Sequence, residues 1–203
     1  FFFKQKTAYE IKECDWSSDV CSSDLDAVAL LNAYLDKMIA IAFQQGGTLD
    51  RIVGDAVAIM FSAPVEQADH RQRAYNCALE MYAFATAYSA ELAAKGTPFG
   101  KTRIGVHCGD VIVGNFGGSN MFDYRALGDP VNTAARLESV NKHLGTTVCV
   151  SESILSGCSG AAVRPVGQLV LKGKSQALMV YEPSGDPNAV LVTSRAQEMS
   201  PPE

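Results

Sequence analysis

An α+β fold, with helices packed on one face of a mostly antiparallel sheet, is what the sequence predicts, and three observations predict it. Long stretches with apolar residues at spacings of three and four alternate with pairs of short strand-like runs. Two of those pairs are centred on Gly-Asp dipeptides, Gly54-Asp55 and Gly109-Asp110. No regular succession of strand, crossover helix and strand, which a parallel doubly wound sheet requires, runs through the chain. With 203 residues, 47% of them hydrophobic, there is material for one domain with its own core, and no internal repeat or second domain is visible.

Taken in order, Leu30, Leu31, Tyr34, Leu35, Met38, Ile39 and Ala42 recur at helical spacing and stop before Gly46-Gly47, which predicts an amphipathic helix from Ala27. Leu49 to Val53 and Ala56 to Phe61 read as a hairpin whose two-residue loop, with Gly first, suits a type II′ turn. Pro64 closes this unit. Asp69 to Ala94 reads as a long helix ended by Lys95-Gly96. Thr102 to His107 and Val111 to Asn115 read as a second strand pair, and the turn Gly117-Gly118-Ser119-Asn120 leads to Phe122 to Ala126. Gly128-Asp129-Pro130 opens a third helix reaching about His143, with Pro130 in the first turn, where its missing N–H costs nothing. Thr147 to Val150 is a strand, Glu152 to Leu155 a helical turn, and Val166 to Leu171 and Ala177 to Tyr181 are the last strands. Residues 184–203, polar and with Pro187, Pro201 and Pro202, read as a disordered tail.

Residues 1–25 differ from the rest: they hold the only Trp, three of the nine Phe and a Ser/Asp/Cys-rich end, with no clear helical or strand period. KQKTAYEI and DWSSDVCSSDL resemble translated sequencing adapters, so the segment is expected to be non-native, with residues 26–183 forming the domain. Without it the formal charge moves from -5 to -3, with 14 basic against 17 acidic residues. Such a balance excludes a dedicated nucleic-acid binder, which needs clustered Lys and Arg. The longest unbroken apolar runs, such as Ala56 to Phe61, are six residues, far short of a bilayer span, so no membrane contact by this segment is expected. Among six cysteines there is no Cys-x-x-Cys pair, which argues for buried reduced thiols rather than structural zinc.

A few residues could carry chemistry. Asp55 at a hairpin tip beside Gly54 could present a hard oxygen to Mg²⁺, or simply make the turn. Asn132 and Arg136 lie four apart on one helix face above an N-terminal turn that favours anions, although such pairs are commonly solvated. Lys172-Gly173-Lys174 could bind phosphate or face water, while Asp110 and Asp129 read first as turn and capping residues.

Together, LDRIVGDAVAIMFSAP, TRIGVHCGDVIVGNFGG, FDYRALGDPVNTAARLESVNKHLG and LVLKGK resemble the catalytic domain of class III nucleotide cyclases, from about Leu30 to Tyr181. The resemblance implies a ferredoxin-like sandwich and conversion of ATP to 3′,5′-cyclic AMP and diphosphate in intracellular signalling. It gives Asp55 the place of the second of two metal-binding aspartates in a two-ion Mg²⁺ or Mn²⁺ site. Asn132 takes the place of the residue orienting the ribose, Arg136 of the arginine stabilising charge on the α-phosphate, and Lys172 of a lysine on the terminal phosphates. The resemblance also implies a homodimer with composite active sites, the metal aspartates coming from one protomer and the base, ribose and phosphate residues from the other. It further implies a cytoplasmic domain whose parent protein could be membrane-anchored through an N-terminal region.

Three departures qualify these implications. The family's first metal aspartate lies on a strand of the form F-x-D-I-x-G-F-T, and residues 1–25 offer no such segment, so the domain is expected to lack its first strand and this chain to be inactive. The two purine-selecting positions, typically Lys and Asp or Thr, carry Arg51 and Arg125, and arginine donates hydrogen bonds but cannot accept them. Purine choice therefore stays open between ATP and GTP, and a non-catalytic nucleotide-binding or regulatory dimerisation module is the alternative to an enzyme.

Overall fold

The structure is a computed structural model that describes residues 2–5, 22–97, 99–171, 173 and 176–184. Its elements are β1 (Phe2–Gln5), α1 (Ser22–Gln44), β2 (Thr48–Val53), β3 (Ala56–Met60), α2 (His70–Ala94), β4 (Thr102–Val106), β5 (Ile112–Gly117), β6 (Phe122–Leu127), α3 (Asp129–Leu144), β7 (Val148–Ser151), α4 (Glu152–Leu155), β8 (Val163–Leu169) and β9 (Leu178–Pro183). Seven strands form one sheet in the order β2-β3-β1-β4-β7-β9-β8, and β5 and β6 form a separate two-stranded ribbon. Among the described residues of the large sheet, β4 and β7 are the one pair that runs parallel.

Alternation along the strands decides which helix covers which face. Ile104 and Val106 of β4, with Val148 and Val150 of β7, point to the side where Tyr34 and Met38 of α1 and Cys77, Ala78 and Met81 of α2 are fully buried. Gly105 and Cys149, one residue out of phase, face α3, whose Leu137 packs with Cys149, Leu171 and Val180. The expectation of helices on one face thus holds for α1 and α2, while α3 covers the other. Gly105 explains how closely it does so: a Cβ there would lie 2.2 Å from the Ala134 carbonyl oxygen and 2.3 Å from the Glu138 nitrogen. Only a residue without a side chain lets α3 settle on β4.

The strand pairing also differs from the sequence reading. Thr102 to His107 and Val111 to Asn115 do not pair with each other; β4 lies between β1 and β7, and β5 pairs with β6 from Ile112↔Leu127 to Gly117↔Phe122. The position between β3 and β4, for which no strand was expected, is taken by Phe2–Gln5, in register with Ala58 to Ala56 on one side and Gly105 to Thr102 on the other. Segments such as this, rich in Phe, suit a central strand. The next-to-last strand begins at Val163 rather than Val166, because β8 is an edge strand where Pro165 costs no ladder bond, and a register shift between Pro165 and Gly167 absorbs the irregularity. Within α1, Ala27–Gln44 has a mean hydropathy of 1.3, enough by length and composition to cross a bilayer, which the short unbroken runs did not suggest. One side of it, Tyr34, Leu35, Met38, Ile41 and Ala42, is in the core.

Candidate active site

Asp55 sits where the sequence put it, at the β2–β3 tip: Val53 pairs with Ala56, Gly54 has φ +60°, and Asp55 keeps a negative φ, which is a type II′ loop. The register sets its height in the sheet. Ala56 is level with Lys4, and Lys4 with Arg103, so Asp55 lies at the N-terminal end of β4. The first turn of α3 lies at the other end, because a Cβ on Gly109, just past the C-terminus of β4, would touch Pro130 at 2.6 Å. α3 then runs back over β4, with Ala134 and Glu138 above Gly105 and Asn141 reaching the Ile104 carbonyl at 3.0 Å. Asp55 and Asn132 are therefore separated by the length of β4, about 15 Å at roughly 3.3 Å per residue.

Of the remaining candidates, Asn132 and Arg136 lie on α3, and Arg51 and Arg125 are linked to each other. Arg51 is level with Ala58, two residues up the hairpin from its tip. It is linked to Arg125 through a residue that carried no signal by itself. Asp50, at the bulge between Leu49 and Arg51, is buried, and its Oδ1 accepts the Ala126 N–H at 2.7 Å, which fastens β6 to β2. The other oxygen, Oδ2, is 2.9 Å from Arg51 Nε, a close charge contact not aligned as a hydrogen bond. Arg125, next to Ala126, is steadied by Asp123, whose Oδ2 accepts from its Nη2 at 2.7 Å. On α3, Asn132 is exposed and Arg136 half-buried. A Cβ on Gly173 would be 3.8 Å from Arg136 Nη2, so Gly173 lies beside this arginine. Lys172 itself lies outside the described residues.

One pattern singles out this region. Among the described residues, the buried side-chain nitrogen and oxygen atoms without a hydrogen-bond partner are Asp50 Oδ2, Arg125 Nε and Arg136 Nη1. Folded proteins satisfy almost all such atoms, so an orphan calls for an explanation. Two of the three belong to residues named from the sequence and the third touches Arg51. The sequence offered a weak hint of Asp50 and Asp123: each is an acid one or two residues before a candidate arginine within a strand.

The fit to a two-ion metal site is incomplete. Asp55 supplies one carboxylate, but β1 carries Phe2, Phe3, Lys4 and Gln5, and among the described residues no three His, Cys, Asp or Glu side chains converge. These residues do not complete the pair of carboxylates. A cleft of about 450 Å³ opens between the ends of β3 and β4 and the start of α2, lined by Asp50, His70, His107, Cys108, Asp110 and Val131 among others. None of Asp55, Arg51, Arg125, Asn132 and Arg136 lines it.

A sandwich of this topology, with Asp55 near one end of β4 and Asn132 near the other, fits the catalytic domains of nucleotide cyclases. The chain belongs to the adenylate and guanylate cyclase catalytic domain family, whose family model matches residues 12–182. It is 37% identical over 169 residues to adenylate cyclase 1 of Rhizobium meliloti, covering 83% of this chain and 25% of that protein. It is 29% identical over 163 residues to an adenylate cyclase of Anabaena cylindrica, covering 78% of this chain and 32% of the relative. The chain thus spans about a quarter to a third of the length of these relatives. Among solved structures, the adenylyl cyclase CyaB of P. aeruginosa superposes with a TM-score of 0.76 at 29% identity, covering 91% of this chain and 92% of that one. The guanylyl cyclase Cya2 does so at 0.73 and 25%, with coverage of 91% and 90%.

Proposed function

We propose that this domain belongs to a cyclase that converts ATP to 3′,5′-cyclic AMP and diphosphate at sites shared between two copies of the chain. The observation that carries the reading is that Asp55 and the first turn of α3, which bears Asn132, lie toward opposite ends of β4. In this reading two copies are arranged head to tail, each giving Asp55 to one site and Arg51, Arg125, Asn132, Arg136 and Lys172 to the other. The ribose 3′-oxygen attacks the α-phosphorus as the bond to the diphosphate oxygen breaks, so alignment and charge stabilisation are the main demands on the protein. Asn132 holds the ribose, and the orphan Nη1 of Arg136 is a donor for the charge that builds on the α-phosphoryl oxygens. Lys172 meets the terminal phosphates. Mg²⁺ or Mn²⁺ would offset charge on the triphosphate when bound; this chain offers Asp55 to it. The relatives named adenylate cyclase favour ATP, while the arginines at Arg51 and Arg125 keep GTP as the competing substrate.

A second reading has its own observation. The strand beside Asp55 carries no acid, so this chain is expected to bind nucleotide with little or no turnover. Both readings are tested together. The 203-residue chain should form little cyclic AMP, and a chain whose first strand bears an aspartate beside Asp55 should form it readily. In that second chain Asp55→Asn and Arg136→Ala should each abolish most activity, and mixing the two variants should restore part of it through one intact shared site. Heterodimers that form but stay inactive would refute the shared site.

A further inference from the structure

The feature of this region that neither the motifs nor the family match assigns is Asp50. Its side chain is 3% exposed, yet one carboxylate oxygen makes no hydrogen bond. A buried carboxylate is costly unless both oxygens are answered, so what answers it should matter. Oδ1 takes the Ala126 amide, and Oδ2 rests against Arg51 Nε. Ala126 is the residue after Arg125, and Arg51 is the residue after Asp50 itself. One side chain therefore sets the spacing of two arginines that come from strands in different sheets. It also fixes which atoms remain for a ligand: with Nε against Asp50, those are the terminal nitrogens of Arg51. Asp123 holds Arg125 at the opposite end of its guanidinium, through Nη2.

We infer that Asp50 is a positioning residue for the base of the nucleotide: it holds Arg51 by charge and the backbone at Arg125 by a hydrogen bond, so that two guanidinium groups meet the purine as one preset face. The inference rests on the proposed reading that Arg51 and Arg125 face the base. Its energetic content is preorganisation, since two long side chains left free would each have to be ordered on binding.

The substitution that separates holding from folding is Asp50→Asn. An amide oxygen still accepts the Ala126 N–H, but the amide NH₂ now points donors at Arg51 Nε–H and removes the charge. Displacement of a fluorescent ATP analogue from the full chain, by ATP and separately by inorganic tripolyphosphate, distinguishes base from phosphate binding. Asp50→Asn should weaken ATP by about ten-fold, the value of one charge-assisted contact, and leave tripolyphosphate unchanged. Arg51→Ala should do the same, and the double variant should lose no more than Arg51→Ala alone, because both changes break one interaction. Should Asp50→Asn fail to fold, Asp50→Glu keeps the charge, moves the carboxylate by one methylene off the Ala126 N–H and away from Arg51 Nε, and should show the same selective loss. Equal losses for ATP and tripolyphosphate, or none, in a chain where Arg51→Ala weakens ATP selectively would overturn the role of Asp50 alone. If Arg51→Ala and Arg125→Ala leave ATP affinity unchanged, or the parent chain does not bind ATP, the base-facing reading falls and the inference with it.

Discussion

Asn141 shows how much one buried polar side chain can organise. It is fully buried on α3, its Nδ2 donates toward the carbonyls of Ile104, Leu137 and Glu138 at 2.9–3.1 Å, and its Oδ1 accepts from Thr146 Oγ1 at 2.7 Å and Cys149 Sγ at 3.1 Å. Helix, sheet and the turn after the helix are joined there. Asn141→Leu should destabilise the domain by about 2 kcal/mol or more, since it strands several buried partners at once, and a urea titration should show a lowered midpoint. The thiols give a prediction with a pH axis. Burial pushes the Cys77 thiol up to about 12, whereas an unfolded thiol releases its proton near 9. Above pH 9 the unfolded chain therefore binds fewer protons, so this contribution is complete below pH 9 and is lost as pH rises toward 12. Melting temperature measured in reductant across this range should fall, and Cys77→Ala should flatten the fall in part, because Cys149 and Tyr34 are shifted in the same direction. At this scale the sequence was legible where a residue type was unusual for its place, as with Asp55 in its turn. Asn141 carried no such signal and Asp50 only its place beside Arg51, because their partners come from elements 37 and 76 residues away.

Elements were legible when their order was set locally. The ends of α2 at Lys95-Gly96 and of the hairpin at Gly54-Asp55 follow from glycine chemistry within a few residues, and the structure agrees with both. Pairing was not local. Whether β4 would pair with β5 or with β1 and β7 depends on which edges are free once the sheet assembles, and alternation within a single strand does not say. The same holds for the face chosen by α3, which turns on Gly105 and its fit beneath Ala134 and Glu138. Gly105→Val should therefore be far more damaging than a valine at an ordinary strand position. The added carbons would have to push helix backbone aside, and overpacking of this kind costs about 1–3 kcal/mol or more. Because α3 carries Asn132 and Arg136, nucleotide affinity should fall with stability in this variant, read by thermal melting alongside nucleotide titration. An alanine at Gly105, already within 2.3 Å of backbone, should show the same direction with a smaller shift.

For the whole molecule, the β5–β6 ribbon is the part that a single chain leaves unexplained. A two-stranded ribbon is marginal alone, and this one is fastened to the body by the Asp50–Ala126 bond while exposing Ile112, Met121 and Phe122 at 64–74%. Ile52 and Val53, near the tip of the β2–β3 hairpin, are also exposed. Apolar side chains concentrated on two projecting hairpins, rather than scattered, are what a protein surface shows where another surface covers it. If that cover is a second copy, the shared active site and the exposed ribbon have one explanation, because the contact that buries the apolar residues also carries Asp55 toward the partner's Arg136. Ile112→Lys with Phe122→Ser should then leave the monomer's helical signal and melting behaviour nearly unchanged, since neither side chain is in the core. Sedimentation should show the dimer shifted toward monomer by ten-fold or more in dissociation constant, about the cost of exposing one apolar anchor to water. In a chain competent for turnover, specific activity should rise with protein concentration and rise later for the double variant. A variant that stays dimeric and active at the same concentrations would separate the ribbon from the interface.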